Sequence, residues 1–430
     1  CVSVVRISSP WGGKLTPVLL RLDKMVHGGV ALARLSEGRL ALVRGGLPGE
    51  RVKTELKERA GVLQGVVGEI VDASPYRVAP SPHPGLDYSH ISYEHQLELK
   101  RGVVEDALGR ALKRSVRVPA VVPAPAPWGY RSAVQPAVQR TAAATLLGYR
   151  RPETDTFVAL GRDPVASGGV HRAWALLQDV GLPKGVREVA MRANDAGEAL
   201  VCFVAGASAR NYLDAAHDLV RRGVAGVSYA RFDPRGRFRS GAERLAGARS
   251  VLQRYGDFEV SVSATSFAQP NPAAAGGLFR ELTHWAGAGD RALDLYAGGG
   301  VIGLHLAKGF AQVTALELDR SSVTRGERDA ARLGVKNLRF VHADARKVGP
   351  LPDAELIAVD PPRAGLAKGA RAAVTASSAE RLLYVSCDVA TWARDVAELE
   401  ASGWTLERAQ PYDFYPQTHH IELLSLLTRE

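Results

Sequence analysis

The sequence predicts a multidomain α/β protein whose last third is a doubly wound parallel sheet, preceded by a small β-barrel and an α+β unit. Three observations carry this. The chain has 430 residues, too many for one hydrophobic core, and is 46% hydrophobic, enough to fill several. From residue 266, apolar strand-like runs alternate with amphipathic stretches, as parallel strands joined by crossover helices require. Residues 16–72 alternate apolar and polar positions in short runs punctuated by glycine, the pattern of a small closed sheet.

Taken in order, the barrel is assigned to 12–78, from "TPVLLRLD" to "GVVGEIVDAS". Residues 93–113 predict a helix with Leu97, Val104, Leu108 and Ala111 near one face. The Pro/Ala-rich "VPAVVPAPAPWG" at 118–129 reads as a stiff linker, so 79–128 is a connecting helix and linker. Residues 129–265 mix strands ("EALVCFVAG") with helices ("YLDAAHDLVRRG"), an α+β unit, and 266–430 form the doubly wound sheet. No run approaches the length of a membrane span, so no membrane partner is expected. Three cysteines are too few for a disulfide framework and predict a cytoplasmic setting. Cys1 stands where Met is usual; a missing native start is the preferred reading and a processed lipoprotein terminus the alternative.

Net charge is +10 and unevenly placed. Residues 1–127 carry 18 Lys and Arg against 12 Asp and Glu, residues 128–271 carry 19 against 13, and residues 272–430 carry 18 against 20. A basic platform joined to a near-neutral module suits a polyanion held by one part and processed by the other, although solubility alone explains the charge equally well.

The chemistry lies in the last third. "RALDLYAGGGVIGLHLA" at 291–307 is a strand, a glycine turn and a helix, with Gly298, Gly300 and Gly303 in G-x-G-x-x-G spacing. Glu317 ends the next strand, 19 residues after Gly298, suited to two ribose hydroxyls. The two strands after it end in Asp344, placed for an adenine edge, and in Asp360-Pro-Pro-Arg363. Acidic residues at successive strand ends, closed by D-P-P, fit a methyltransferase using S-adenosylmethionine (AdoMet) better than a dehydrogenase. The bland alternative is that Asp344 and Asp360 cap helices.

Cys387 ends the strand "RLLYVSC" and meets a helix start, where a thiol is expected to have a lowered pKa; Cys202, inside "LVCFV", reads as core. A thiolate adding to carbon 6 of a pyrimidine activates carbon 5 toward a methyl donor. A base must then remove the carbon-5 proton. Glu422, inside the apolar terminal run "IELLSLL", offers the carboxylate, with a solvent-facing edge position as the alternative. His420, two residues earlier, is expected on the same side, able to orient Glu422.

These motifs resemble the tRNA/rRNA 5-methyluridine methyltransferase family. Its T-x-H-x-E ending is similar to Thr418–Glu422, its D-P-P/A-R-x-G to Asp360–Gly365, its F-x-Q-x-N to Phe267–Asn271, and its S-C-N/D segment to Ser386–Asp388. "HGGVALARLSEGRLALVRGGLPGERV" resembles a TRAM domain, a small RNA-binding barrel, and "GYRSAVQ" the opening of the family's central RNA-binding domain. The resemblance implies Cys387 as nucleophile and Glu422 as base. It implies Gln269, Tyr296, Glu317, Asp344 and Asp360 around AdoMet beside Gly298 and Gly300, with Asp360 also near the uracil. It places Phe267 by the flipped base and Arg363 on the loop or on RNA. It implies an rRNA substrate, 23S rRNA in particular, with tRNA as the alternative, and no obligate protein partner. The family's four iron–sulfur cysteines are missing: "RVAPSPHPGLDYSHISYEHQLELK" has none, Ser81 stands at the first position, and neither a cluster nor another metal is expected. The family's Asn after the cysteine is Asp388, expected to point away as an N-cap, and Val301 fills a position often polar.

Other chemistries fit less well. Amino-methylating enzymes pair D-P-P with an aromatic, and here Arg363 follows. Cytosine carbon-5 RNA enzymes carry a cysteine in that loop, and this loop has none. An RNA-binding protein with a decayed enzymatic half is opposed by intact Cys387, Glu422 and Asp360.

Overall fold

The computed structural model describes residues 17–429 except 143, 152–153, 235–237 and 239–240, so Cys1 and the first residues of the predicted barrel lie outside the described residues. Strands β1 (Val18–Val26), β2 (Val30–Arg34), β3 (Leu40–Arg44), β4 (Arg51–Arg59) and β5 (Val62–Asp72) close a barrel in the order β1-β2-β3-β5-β4, with β4 pairing back onto β1. Alternate side chains turn inward: Leu20 and Leu22, Ala31 and Ala33, and Ala41 and Val43 are buried. The small alanines fit the narrow interior of a five-stranded closure.

Helix α1 (Tyr93–Leu112) joins the barrel to the C-terminal unit. Val104 and Leu108 are fully buried, whereas Leu97 and Ala111 are only half-buried. Lys24 of β1 pairs with Asp106 on one side of the helix. On the other, Lys100 Nζ donates to Asp413 Oδ1 at 2.7 Å, both side chains fully buried. Removing either partner alone leaves a buried charge uncompensated.

The proline-rich stretch after α1 is not a free linker. Val122 N donates to Pro411 O at 2.9 Å, Asp413 N to Val122 O at 2.9 Å, and Gln410 Nε2 to Ala120 O at 2.8 Å. Prolines exclude a helix, but the remaining donors pair with the edge of the C-terminal sheet, which composition does not reveal.

The central unit holds β6 (Ala133–Val134), β7 (Ala137–Arg140), β8 (Thr145–Arg150), β9 (Phe157–Ala159), α2 (Gly168–Val180), β10 (Val186–Ala193), β11 (Ala199–Ala205), α3 (Leu213–Arg221), β12 (Gly226–Arg231) and β13 (Glu243–Gly247). Its sheet runs β13-β12-β11-β10-β7-β8-β9, with β6 also on β10. Period-two alternation splits the middle strands: Met191, Val201 and Phe203 share a core with α2 and α3, whereas Ala190, Leu200 and Cys202 face the C-terminal unit. The hairpin β14 (Val251–Tyr255) and β15 (Phe258–Val262) also packs into that second core, so the units share a core across the expected boundary at 265/266.

The C-terminal unit comprises α4 (Pro272–Ala286), β16 (Gly289–Leu295), α5 (Val301–Leu306), β17 (Phe310–Glu317), α6 (Arg320–Arg332), β18 (Leu338–His342), β19 (Leu356–Val359), α7 (Lys368–Ala376), β20 (Arg381–Ser386), α8 (Val389–Glu400), β21 (Thr405–Tyr412) and β22 (Glu422–Thr428). The strand order is β18-β17-β16-β19-β20-β22-β21; the first five are parallel, and β22 runs antiparallel to both neighbours. This is the doubly wound sheet that the sequence predicts. The order reverses beside β16, which opens a crevice at the carboxyl ends of β16 and β19. Because β22 is antiparallel, its first residue, Glu422, lies at that same edge. No helix among the described residues is long and apolar enough to cross a membrane.

Candidate active site

The glycine turn after β16 is built for close approach. Tyr296, Gly298 and Gly300 all have left-handed φ, at 64°, 55° and 78°. Gly298 N donates to Glu317 Oε2 at 2.8 Å, and Asp319 N to Glu317 Oε1 at 2.6 Å, so the carboxylate ending β17 ties the turn to its own strand. Gly300 has a packing role: a Cβ there would lie 2.4 Å from the Phe340 ring. Below the turn, fully buried Asp294 accepts from Gly303 N at 2.8 Å and holds the start of α5.

A cleft of about 1030 Å³ opens over these strand ends. Of the twelve residues singled out from the sequence, ten line it. Phe267, Gln269, Tyr296, Gly298 and Glu317 form one side, and Asp360, Arg363, Cys387, His420 and Glu422 the other. Phe267 is 82% exposed at the rim. The other two, Gly300 and Asp344, are not among the lining residues. Asp344 instead caps the turn Ala345–Lys347 and is gripped by Arg346 through Nε at 2.8 Å and Nη2 at 2.9 Å. That guanidinium lowers its carboxyl to about 2. The helix-capping alternative describes Asp344 in this structure, because its i+2 neighbour is an arginine.

Sheet register brings the proposed nucleophile and base together. Ser386 pairs with Leu423, so the next residue on each strand at the open edge is Cys387 and Glu422. Glu422 is fully buried, and neither carboxyl oxygen has a hydrogen-bond partner. Its strand lies between β20 and β21, which removes the solvent-facing alternative. His420 lines the same cleft but does not bond Glu422; its Nε2 lies 3.5 Å from Arg363 Nη2 and its ring meets Tyr415 edge-on. Burial lowers the His420 pKa to about 3, so the ring is neutral.

Asp388 caps α8: its Oδ1 accepts from Thr391 N at 2.9 Å. The helix after Cys387 also fixes the D-P-P-R loop. Thr391 Oγ1 donates to Arg363 O at 2.9 Å, Arg394 Nη2 to Ala364 O at 2.9 Å, and Leu366 N to Asp395 Oδ2 at 2.7 Å. Asp395 was not legible as a site residue; its only signal is an acid on the buried face of an amphipathic helix. Tyr415 and Arg325 also line the cleft unforeseen. Tyr415 directly follows Phe414, and nothing in the sequence separates it from a core aromatic.

The expectation of a lowered thiol pKa is corrected. Burial, then Glu422 and Asp360, push Cys387 up to about 11, against the opposing effect of Arg363. Cys387 precedes the N-cap, so the carboxyls beside it outweigh the helix terminus. Burial also raises Asp360 to about 7 and Glu422 well above the carboxylate range, the latter with help from Asp360. The free site is therefore a cluster of acids that resist ionising together.

This makes a stability prediction. An acid raised on folding binds more protons in the native than in the unfolded chain, so its contribution is full below the unfolded value and is lost as pH rises through the folded one. Burial thus makes ionised Asp360 costly to the fold at neutral pH. Relative to the parent, ligand-free Asp360→Asn should gain melting temperature as pH rises from about 5 to about 7.5. Scanning calorimetry across this window tests it; an unchanged slope in the variant refutes the assignment.

A family model described as tRNA (Uracil-5-)-methyltransferase matches residues 352–430. An RNA methyltransferase of Thermosynechococcus vestitus is 30% identical, over 95% of this chain and 97% of that protein. One from Gloeobacter violaceus is 29% identical, over 96% of each. The fold is similar to that of the Pyrococcus abyssi tRNA (uracil-54, C5)-methyltransferase, solved with S-adenosyl-L-homocysteine: TM-score 0.75 at 24% identity, over 96% of this chain and 100% of that one. The chain belongs to a family of RNA methyltransferases, and its C-terminal residues 352–430 match the tRNA (Uracil-5-)-methyltransferase model.

Proposed function

We propose that the protein methylates carbon 5 of a uridine in RNA with AdoMet as donor, through a covalent bond between Cys387 and carbon 6 of the uracil. The observation that carries this is the adjacency of Cys387 and Glu422 at the end of β20 and β22, on one cleft with Asp360 and the Gly298 turn. The cleft suits the donor: it combines a backbone turn made for close approach, an acid at the end of β17, and the Glu422 carboxyl left without a partner, which favours a cation when ionised. Gln269, Tyr296, Gly298, Glu317 and Asp360 would hold it. When bound, AdoMet supplies an electrophilic methyl group on a positively charged sulfur.

The chain's own residues do the rest. The Cys387 thiol gives its proton to solvent as sulfur adds to carbon 6, and the electron pair of the 5,6 double bond, pushed onto the uracil, makes carbon 5 nucleophilic. After carbon 5 is methylated, Glu422, ionised, takes the remaining proton from it, and the sulfur–carbon bond breaks to release thiolate. The high proton affinity that burial gives Glu422 makes it a stronger base once ionised. Arg363 offsets the charge of both groups. The cleft admits one base, so the uridine must leave its stack, at least cost in a loop or bulge.

The RNA is held by the barrel and the basic central unit, and 23S rRNA is the favoured substrate. A tRNA uridine is the second reading, supported by the substrate named for the Pyrococcus abyssi enzyme. Mapping 5-methyluridine by mass spectrometry in rRNA and tRNA from cells lacking the protein decides between them; a full complement in both defeats the proposal. Phe267→Ala should raise KM for RNA about tenfold while moving kcat little, the size of one lost stacking platform. An unchanged KM removes Phe267 from the substrate path.

A further inference from the structure

A smaller cavity of about 180 Å³ shares Arg363, Cys387 and His420 with the cleft and is lined also by Asp388 and by Val26, His27 and Gly28, at the turn between β1 and β2 of the barrel. The barrel, more than 300 residues away in sequence, therefore stands against the nucleophile loop.

Contacts on both sides fix this turn. Gly28 and Gly29 have left-handed φ, at 88° and 72°. A Cβ on Gly29 would lie 2.5 Å from Asp87 Oδ2 and 2.9 Å from His419 Cβ, so only glycine lets the turn sit this close. Asp87 in turn pairs with the His419 ring and accepts from His419 N at 3.1 Å. The Lys24–Asp106 pair holds β1 on α1. Within this frame His27 Nε2 lies 3.6 Å from Asp388 Oδ2. The two oxygens of Asp388 are thus divided: Oδ1 caps α8, and Oδ2 faces the barrel.

We propose that His27 is a positioning residue of the active site: it holds Asp388 away from Cys387 and offsets its charge, so the barrel completes the nucleophile. This rests on the reading of Cys387 as nucleophile. Asp388 is one of four groups that bear on the thiol; Glu422, Asp360 and Asp388 oppose its ionisation and Arg363 favours it. His419 and His420 share the small cavity, but His419 is engaged by Asp87 and His420 is held neutral by burial. Arg363 also lines the cavity, and on the barrel side His27 is the group able to carry a positive charge toward Asp388. Its side chain is 40% exposed and that of Asp388 22%, so water screens the pair and its effect is modest.

The test is the pH profile of Cys387 alkylation by iodoacetamide, read by peptide mass spectrometry, which separates it from fully buried Cys202. His27→Gln should slow alkylation about two- to fivefold on the acid side of the profile, at about pH 6, and leave its alkaline limb, where an imidazole is neutral, unchanged; His27→Arg, charged throughout, should keep the faster rate at that acid pH and extend it into the alkaline limb. Methylation of RNA, measured alongside, should fall and recover in the same order. A His27→Gln profile that overlays the parent, or equal shifts in both variants, overturns the proposal. Failure of the parent protein to methylate any uridine would instead strike the reading of its function, and the alkylation profiles would still decide the role of His27.

Discussion

Cys387→Ala should lower uridine methylation by about four orders of magnitude or more, the scale at which loss of a covalent nucleophile is felt. The reaction offers no bypass, because carbon 5 of an unactivated uracil is too weak a nucleophile for a methyl donor. The substitution should leave the fold standing. Cys387 is half-buried and follows β20 rather than lying within it, so removing one sulfur atom costs about 1 kcal/mol or less. Donor binding should also persist, because the Gly298 turn and Glu317 are held by their own bonds. Tritium transfer from labelled AdoMet, with a thermal melt as control, measures both. Methylation within tenfold of the parent, in a protein that melts normally, would end the covalent mechanism.

The extent to which the site was legible follows from where its information lies. Residues that close a strand at the sheet's carboxyl edge were readable, because an acid or thiol after an apolar run is placed by topology: Glu317, Asp360 and Cys387 all reach the cleft. Asp344 follows the same rule to the sheet edge, where its carboxylate is bound by a neighbouring arginine. The thiol's pKa was misjudged for a related reason. A helix terminus can be read in one dimension, but the carboxyls of Glu422 and Asp360 come from other strands and are met only in the folded chain. The proline-rich strap and the β14–β15 hairpin show the same limit in the fold: local pattern does not reveal the surface they pack on. His27 is the extreme case. Nothing near it in sequence sets it apart, and its relation to Asp388 is made by a barrel closing 361 residues earlier.

Glu422→Gln should trap what Cys387→Ala prevents. The amide is close in volume to the acid it replaces, and burial already disfavours the ionised form of that acid, so the variant should fold at least as well as the parent. What it loses is the ability to accept a proton. Sulfur can still add to carbon 6 and carbon 5 can still be methylated, but the carbon-5 proton then has no acceptor and the sulfur–carbon bond cannot break. His420 does not substitute, being bound toward Arg363 rather than poised over Cys387. Turnover should fall by about two to four orders of magnitude, the range of a lost general base. A protein–RNA species carrying one methyl group should survive SDS, and the Cys387→Ala/Glu422→Gln double variant should form none. This pairing separates the two roles, since either residue could be essential for other reasons, but only a base acting after a nucleophile leaves the substrate attached. A folded Glu422→Gln protein that releases methylated RNA at the parent rate would show that the proton leaves by another route, and the buried acid at the head of β22 would then need a different explanation.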